Sequence, residues 1–396
     1  MNILTVTTLY PNALQHRHGI FIENRMRHLM ALHPNINLKV VAPVPYFPFK
    51  HKVFGDYAKY ADVPLKEERF GIEIYHPRYL VIPKLGMHLA PYLLYRCLKK
   101  CLKSVVDQGY NFDLIDAHYF YPDGVAATKL ANELKKPITV TARGSDITMI
   151  PQFPIARKRI KHALQRVSAG IGVCQALVDE MKVLQPNHKP LHTIRNGVDL
   201  ELFNNKACRK SLREKLNFTD FTLLMVGNLV ELKGHALVIK ALKQLPNTQL
   251  VIVGEGELMQ NLQSLAKDEG VSEKVTFVGG LQQDQLPNYY AAADCLLLAS
   301  SREGWANVLL ESMACGTPVV ATHVWGTPEV VNSIEAGVLI KERTAKAIAQ
   351  GVKELLINYP NRKKTRLYAE KFSWQKTTEA LMSLFIEITD KKINNI

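Results

Sequence analysis

The sequence predicts an α/β fold made of two doubly wound, Rossmann-like parallel sheets. Short apolar runs alternate with helical patterns in both halves of the chain, and this alternation is typical of parallel strands connected by helices. The runs of the second half begin at 222–227 and return at about 249–253, 275–278, 294–298 and 318–321. Between the two series stands Arg195-Asn196-Gly197, whose Asn-Gly pair is typical of a turn and indicates a domain boundary.

The boundaries divide the 396 residues into three parts. The first domain takes residues 1–197, the second takes 198–371, and a C-terminal amphipathic helix takes 372–396. In the first domain, the spacing of apolar residues predicts helices at 20–32 and 87–106, and apolar runs predict strands at 2–8, 38–43, 71–76, 113–118 and 139–142.

Composition narrows the class of protein. An apolar fraction of 47% with 22% charged residues is typical of a globular chain. No apolar run approaches the roughly 20 residues that cross a bilayer. Residues 1–8 lack a basic segment followed by a long apolar stretch, so they predict a strand rather than a signal peptide. The six cysteines are scattered, mostly in apolar surroundings, which favours a reduced cytosolic protein over a disulfide framework or a zinc site.

The net charge of +14 is concentrated in the amino-terminal half. Residues 1–200 hold 27 basic and 15 acidic side chains, whereas residues 201–396 hold 23 and 21. Nucleic acid, an anionic membrane surface or an acidic substrate would each explain this excess. Nucleic acid ranks last, because no RNA-binding aromatic motif, helix-turn-helix or zinc finger accompanies the charge. A solvated surface explains the two basic clusters equally well: Arg96, Lys99, Lys100 and Lys103 along one helix, and Arg157, Lys158, Arg159 and Lys161.

The most informative stretch joins the strands at 294–298 and 318–321, with a loop and then a helix over about 307–314 between them. Glu303 therefore lies on the loop at the carboxyl edge of the sheet, where open α/β sheets bind ligands. Glu311 lies in the helix among apolar neighbours, and a carboxylate buried there requires a partner. Either glutamate alone would be interpreted as a solvated surface charge. The whole stretch instead favours a ligand site, because Glu311 lies among apolar residues.

The stretch from Glu303 to Glu311 resembles the Glu-x7-Glu motif of the family-4 retaining glycosyltransferases, which have the GT-B fold of two Rossmann-like domains facing a cleft. The surrounding Glu-Gly-Trp and Asn-Val-Leu-Leu-Glu-Ser-Met-Ala-Cys-Gly-Thr-Pro-Val fit the same family, as does the Asn-Gly-Val-Asp segment at 196–199. The resemblance covers nearly the whole chain. It implies that Glu303 approaches the donor sugar as a catalytic residue and that Glu311 holds the ribose hydroxyls. It also implies donor contacts from Gly304, Trp305, Asn307 and Val308.

The loop from Gly227 to Gly234 is the predicted diphosphate site. It follows a strand and opens a helix, so its backbone N–H groups and Lys233 face the charge that a departing nucleotide gains. A solvated lysine is the alternative, but cations are disfavoured at the start of a helix, and a bound anion would resolve that misfit. The family pattern has an Arg five residues before this lysine. Here that position is Asn228, so one cation is missing from the presumed donor site.

The resemblance further implies roles for the first domain, which would bind the acceptor, and for the last helix, which would pack back toward it. His118 ends a predicted strand where the family has a catalytic His near the transferred sugar, and a hydrogen-bonded structural His is the alternative. Arg143 and Asp146 belong to a strand-end loop over the cleft, unless they form an exposed turn with a local ion pair. Gly19 is the single glycine of a cleft loop that is Gly-rich in the family.

Other nucleotide motifs are incomplete. A dinucleotide fingerprint begins at Gly254-Glu255-Gly256, but Met259 replaces its third glycine, and Glu255 and Glu257 would repel a pyrophosphate. The sequence contains no Walker loop and no metal-ligand cluster, and GT-B enzymes as a class need no bound metal. We therefore expect no cofactor and no metal, with a UDP- or GDP-linked sugar as co-substrate. Glu329 is the weakest of the candidate carboxylates.

The resemblance thus predicts a cytoplasmic retaining glycosyltransferase that uses a nucleotide sugar and a lipid-linked or polysaccharide acceptor, with peripheral attachment to an anionic membrane surface. The segment at 43–48 is similar to bacterial teichuronic-acid and exopolysaccharide assembly enzymes. Two alternatives stay open. One is a GT-B-fold sugar-nucleotide epimerase, whose catalytic carboxylates lie elsewhere in the fold. The other is a non-catalytic nucleotide-sugar-binding module, for which Asn228 is the one indication.

Overall fold

The chain forms two compact units. Unit 1 comprises Met1–Arg195 and the chain from Gln375 onward, and unit 2 comprises Asn196–Trp374, so the unit boundaries lie two and three residues from the predicted ones. The computed structural model describes residues 1–46, 60–81, 86–186, 190–204 and 206–393. Phe47 and Pro48 of the predicted segment at 43–48 lie outside these residues.

The strands at the centre of the unit 1 sheet, which are residues 2–6, 114–118, 138–142 and 169–172, are buried on both faces almost throughout. In chain order the described strands are β1 (Asn2–Val6), β2 (Asn37–Val41), β3 (Val44–Tyr46), β4 (Lys66–Arg69), β5 (Ile72–Tyr75), β6 (Arg78–Leu80), β7 (Leu114–His118), β8 (Ile138–Ala142), β9 (Ala169–Gly172) and β10 (Leu191–Thr193). Among the described residues the sheet order is β10-β9-β8-β7-β1-β2-β5-β4, and β3 pairs with β6 apart from it. Only β4 pairs antiparallel there, against β5. Every residue of β7 and β8 is buried, as is expected for parallel strands covered by helices on both faces.

Helices connect these strands: α1 (Ile20–Leu32), α2 (Gly86–Asp107), α3 (Val125–Glu133), α4 (Ser145–Thr148), α5 (Pro154–Leu164) and α6 (Gln175–Leu184). The predicted two-sided character of α2 is confirmed. Leu94, Leu98, Leu102 and Val105 are buried, whereas its four basic residues are exposed. This helix therefore covers the sheet with one side and presents positive charge to solvent with the other.

The sheet of unit 2 is parallel throughout. Its described strands are β11 (Phe221–Val226), β12 (Thr248–Val253), β13 (Val275–Gly279), β14 (Cys295–Leu298), β15 (Val319–Thr322) and β16 (Gly337–Ile340). They lie in the order β13-β12-β11-β14-β15-β16. The direction of winding thus reverses between β11 and β14, which is the place where doubly wound sheets bind ligands. The predicted α/β class with two parallel sheets is confirmed.

The helices of unit 2 are α7 (Arg209–Leu216), α8 (His235–Ala241), α9 (Met259–Asp268), α10 (Leu286–Ala292), α11 (Asn307–Ala314), α12 (Thr327–Val330), α13 (Ala345–Ile357) and α14 (Arg362–Glu370). The chain ends with α15 (Trp374–Ile393), which re-enters unit 1 at Gln375. There Leu381, Leu384 and Phe385 belong to the same apolar core cluster as Ile22 and Met26 of α1. The final helix is therefore part of the core of unit 1.

The described part of the chain holds no helix that is both long and apolar enough to cross a bilayer. All six cysteines are free thiols, and Cys174, Cys295 and Cys315 are buried.

Candidate active site

The carboxyl ends of β11 and β14 meet at the point where the sheet of unit 2 reverses its winding. The two strands are parallel neighbours, with Leu223 opposite Cys295. The loops that leave them are joined by a backbone bond, in which the N–H of Ser301 donates to the carbonyl of Leu232 at 2.9 Å. Arg343 ties them again, since its guanidinium donates to the carbonyls of Ala299 at 2.8 Å and Glu231 at 3.0 Å. The two predicted ligand-binding loops therefore form one continuous surface.

Glycines allow the backbones around the first loop to approach closely. Gly234 has φ +73, and a Cβ there would lie 2.3 Å from the carbonyl oxygen of Ala299. A Cβ on Gly254 would lie 1.9 Å from the carbonyl oxygen of Gly227. Only glycine fits such contacts without moving the loop. The glycine at 254 thus has a packing role that requires no dinucleotide.

Lys233 and Glu303 form an ion pair across the two loops. The Lys233 Nζ lies 2.7 Å from the Glu303 Oε1, and the two side chains are only 23% and 12% exposed. Lys233 ends a 3-10 turn directly before α8, and Glu303 stands on the loop after β14. The sequence analysis assigned Lys233 to the diphosphate and Glu303 to the donor sugar, whereas in the structure the two side chains contact each other.

Asn228 occupies the exposed start of the same loop. Its carbonyl accepts a bond from the N–H of Val230 at 2.9 Å, which closes a tight turn. Because an amide carries no charge, Lys233 supplies the positive charge of this loop, whose other ionisable side chain is Glu231.

Glu311 has the buried partner that its apolar surroundings require. The hydroxyl of Tyr290, on α10, donates to the Glu311 Oε2 at 2.8 Å. Burial raises the pKa of Glu311 to about 7, and the Tyr290 hydrogen bond opposes this rise. Tyr290 is itself fully buried, with the ring of Phe203 edge-on at 5.9 Å. The sequence reasoning missed Tyr290, although a tyrosine in the apolar run Tyr-Tyr-Ala-Ala-Ala needs a hydrogen-bond partner for its hydroxyl.

The remaining predicted donor residues lie around the start of α11. Asn307 is the first residue of that helix, and its Oδ1 accepts from the Nδ2 of Asn196 at 3.3 Å. Trp305 is buried, and its ring centroid lies 6.1 Å from that of Phe372, whereas Gly304 and Val308 are half-buried. Glu329 lies on the short helix α12, which follows β15, the parallel neighbour of β14.

His118 is the last residue of β7, and it is completely buried. Its Nδ1 accepts from the guanidinium of Arg143 at 2.9 Å, and its Nε2 lies 3.1 Å from the Asp116 Oδ2. Burial lowers the pKa of His118 to about 4, because Asp116 offsets that effect only in part and Arg143 adds to it. The imidazole is therefore neutral at pH 7. This pattern of contacts assigns its proton to Nε2, facing Asp116.

The turn that carries Arg143 and Asp146 is held by backbone hydrogen bonds. The Asp146 carboxylate accepts from the N–H groups of Arg143 at 3.0 Å, Gly144 at 2.8 Å and Phe120 at 2.8 Å. Asp146 is buried rather than exposed, and burial raises its pKa. The Arg143 guanidinium points elsewhere, to His118 and to within 5.2 Å of the Phe21 ring centroid.

Gly19 precedes the first residue of α1 with φ +69, and a Cβ there would lie 2.2 Å from the carbonyl oxygen of Leu9. The neighbouring Thr8 donates twice to Asp123, from its N–H at 2.6 Å and from its hydroxyl at 3.1 Å. Burial raises the pKa of Asp123 to about 7. Asp116 and Asp123 were not predicted as parts of this polar cluster, because nothing in their sequence context distinguishes them from other strand-end carboxylates.

No group of three or more metal-ligating side chains occurs within the described ranges. The predicted ionisable residues at the sheet edge of unit 2 are Lys233, Glu303 and Glu311, and those of unit 1 belong to the buried set around His118. Cationic and carboxylate groups at the carboxyl edge of a parallel sheet suit a ligand that carries both phosphate and hydroxyl groups.

Two family models match the chain over most of its length. The model described as glycosyl transferases group 1 matches residues 209–372, and the model described as Glycosyltransferase Family 4 matches residues 49–202. TuaC of Bacillus subtilis, a glycosyltransferase named for teichuronic acid biosynthesis, is 28% identical over 358 residues, which cover 89% of this chain and 88% of TuaC.

Solved structures share the fold. Sucrose-phosphate synthase from Thermosynechococcus elongatus superposes with a TM-score of 0.82 at 19% identity, over 99% of this chain and 100% of that one. HepE of Anabaena, in its complex with UDP-glucose, gives a TM-score of 0.71 at 19% identity, over 97% and 100% of the chains. The architecture is therefore the GT-B fold.

Proposed function

The chain belongs to the family-4 glycosyltransferases, and we propose that it transfers a sugar, with retention of configuration, from a UDP- or GDP-linked donor to a lipid-linked or polysaccharide acceptor in bacterial cell-surface glycan assembly. One observation carries the proposal. Lys233 lies 70 positions before Glu303 in the sequence, yet Lys233, Glu303 and Glu311 lie on the loops and helix that leave two adjacent strands at the switch point of unit 2.

In this proposal each group meets one part of the donor. Lys233 and the N–H groups of its loop neutralise the diphosphate, whose negative charge grows as the sugar leaves. Glu311 accepts hydrogen bonds from the ribose hydroxyls, with its other oxygen held by Tyr290. Glu303 accepts from the sugar once the phosphates take over the Lys233 ammonium. The proposal includes no metal ion, since Lys233 supplies the positive charge.

We assign the acceptor to unit 1, with Gly19, Arg143 and Asp146 shaping its binding surface. His118 assists transfer in this assignment. Because Arg143 donates to its Nδ1 and Asp116 lies 3.1 Å from its Nε2, His118 must exchange one of these contacts for a sugar hydroxyl. HepE, whose structure contains UDP-glucose, makes uridine nucleotides the first donors to test.

Binding of the bare nucleotide and of the sugar nucleotide separates the two glutamates. We expect Glu311→Ala to weaken binding of both UDP and a UDP-sugar in titration calorimetry, and Glu303→Ala to weaken chiefly the UDP-sugar. Glu354→Ala, an exposed change on α13, is the matched control. Wild-type affinity of both variants for both ligands would overturn the assignment of the site.

A second candidate is a nucleotide-sugar-binding module without turnover. Asn228 favours it, because a neutral amide stands where the family pattern has an arginine. Binding of a sugar nucleotide without any transfer or hydrolysis, in the presence of membrane lipid and glycan acceptors, would support this candidate over the enzyme.

We further propose that the protein is cytoplasmic and attaches reversibly to anionic membrane through the exposed cations of unit 1. Arg96, Lys100 and Lys103 are free to act in this way, whereas Lys99 pairs with Glu133 at 3.0 Å. About 1 kcal/mol per cation near the bilayer would hold the protein reversibly. High salt should therefore release it from vesicles, since charges are screened within about 3 Å at 1 M.

A further inference from the structure

A cavity opens between α2, α3 and α5 on the helical layer of unit 1. Its volume is about 350 Å³, within the range of pockets that bind small molecules. Pro91 and Tyr95 of α2, Ala126 of α3 and Ala163 of α5 form its apolar floor, and all four are buried. The cavity takes no residue from the donor site, which lies wholly in unit 2.

Basic side chains surround this apolar floor. The cavity is lined by Lys129, Arg159, His162 and Arg166, and by no carboxylate. The Lys129 Nζ lies 4.0 Å from the Tyr95 ring centroid, and the Arg159 guanidinium bonds to the carbonyl of His88, so neither charge is neutralised by these contacts. Such a rim attracts an anion.

Glu133 is one turn further along α3, where its charge also interacts with Lys129, but its side-chain hydrogen bonds go to two other groups. It pairs with Lys99 at 3.0 Å and accepts from the Tyr95 hydroxyl at 2.7 Å. Thr128, which also lines the cavity, is 2% exposed, and its hydroxyl has no hydrogen-bond partner among the described residues. A polar ligand atom at this wall would relieve the cost of leaving that hydroxyl unpaired.

Large apolar side chains are exposed on α2 and at the start of α5, next to the cavity. Leu89 and Tyr92 of α2 are 41% and 50% exposed, and Phe153 and Ile155 at the start of α5 are 51% and 47% exposed. A small soluble anion has no use for such a surface, whereas apolar and basic side chains together are typical of segments that lie in the headgroup region of a bilayer. Basic and apolar side chains together therefore favour a ligand with an anionic group and an apolar part over a small soluble anion.

We propose that this cavity binds the phosphate headgroup of an anionic membrane lipid. The phosphate lies against Lys129 and Arg166, and the glycerol and upper acyl carbons lie against Tyr92. The site is distinct from the diffuse attachment described above, because it requires particular side chains rather than net charge. It also stands independently of the donor site.

Vesicle flotation with paired variants tests the cavity. Lys129→Ala/Arg166→Ala removes two charges from its rim, and Lys100→Ala/Lys103→Ala removes two from the exposed face of α2. On vesicles that contain phosphatidylglycerol, we expect the rim variant to bind at least about a hundredfold more weakly than wild type, because a hydrogen bond from each cation to the phosphate contributes about 1.5 kcal/mol or more. The α2 variant should lose at most about thirtyfold, which corresponds to about 1 kcal/mol for each cation of the diffuse attachment. Thermal melts should show that both variants fold.

Each other result overturns the proposal. Unchanged binding by the rim variant would exclude the cavity, and equal losses by both variants would assign attachment to the overall charge of unit 1. Equal binding of wild type to vesicles of phosphatidylcholine alone would remove the need for anionic lipid. A thermal shift with inorganic phosphate that depends on Lys129 and Arg166, without any vesicle binding, would assign the cavity to a soluble phosphate.

Discussion

Nucleotide binding should depend on pH through Glu311. Its pKa of about 7 means that about one carboxyl in eleven is ionised at pH 6 and about ten in eleven at pH 8. Ribose hydroxyls donate to the ionised form, so binding of UDP is strongest above the pKa and is lost as the pH falls through it. We expect Kd to rise about tenfold between pH 8 and pH 6.

Tyr290→Phe should raise the pKa of Glu311, and with it the pH midpoint of UDP binding, because the Tyr290 hydroxyl stabilises the ionised carboxylate. A hydrogen bond to a charged group contributes about 1.5–3 kcal/mol, and 1.36 kcal/mol corresponds to one pH unit. The midpoint should therefore rise by at least about one pH unit. UDP binding at pH 7 should weaken about fivefold, with little difference remaining at pH 9.

Titration calorimetry from pH 6 to pH 9 measures the effect. Glu311→Gln provides the reference, because it lacks the titrating carboxyl but binds the same UDP. At each pH, the Kd of Glu311→Gln is divided by the Kd of each other protein. This ratio removes the effect of the UDP phosphate, whose pKa lies near 6. Tyr289→Phe, at the half-buried neighbour of Tyr290, is the matched control. The reasoning is refuted if wild type and Tyr290→Phe share one midpoint, or if the ratio does not change with pH.

Three further predictions concern the same edge of unit 2. Lys233→Ala should lower turnover by about 10²–10³ through loss of one preorganised charge, while the exposed Lys240→Ala should leave it unchanged; a near-wild-type rate for Lys233→Ala would remove that lysine from the site. Asn228→Arg should tighten UDP binding in calorimetry by adding a cation beside the diphosphate, and weaker binding by a folded variant would contradict this. The folded-state pKa of Glu311, about 7, exceeds its usual 4.5, so its contribution to stability is complete below pH 4.5 and is lost as pH rises through 7. Glu311→Gln should therefore raise the free energy of unfolding of the ligand-free protein at pH 8 by up to about 3 kcal/mol. Equal thermal melts of the variant and the wild type at pH 8 would contradict this.

The central strands of unit 2, which are β11, β12, β14 and β15, were predictable because they are mostly buried and therefore form continuous apolar runs. The edge strand β16, which is mostly half-buried, was not predicted. The parallel direction of the central strands then places the loops at 227–234 and 299–306 at one edge. The sequence does not specify which side chains meet there. The Lys233–Glu303 pair joins residues 70 positions apart, and it depends on the pairing of β11 with β14.

Unit 1 was predicted less completely. The strand β4 consists of Lys66, Glu67, Glu68 and Arg69, and such a charged edge strand has no apolar run to reveal it. Asp146 was considered as an ion-pair partner of Arg143, but its carboxylate accepts from the N–H groups of Arg143 and Gly144 in the same turn and of Phe120 in the segment after β7. Local backbone geometry decided that contact, and charge pairing in the sequence does not reveal it.

The path of the chain has a consequence for biosynthesis. Leu381 and Phe385 of α15 complete the same core cluster as Ile22 and Met26, although some 350 residues of translation separate them. A ribosome thus releases all of unit 2 before the last wall of unit 1 emerges. During that interval the core cluster of unit 1 lacks the side chains that α15 contributes, while unit 2, whose residues are contiguous in the sequence, is already free to fold.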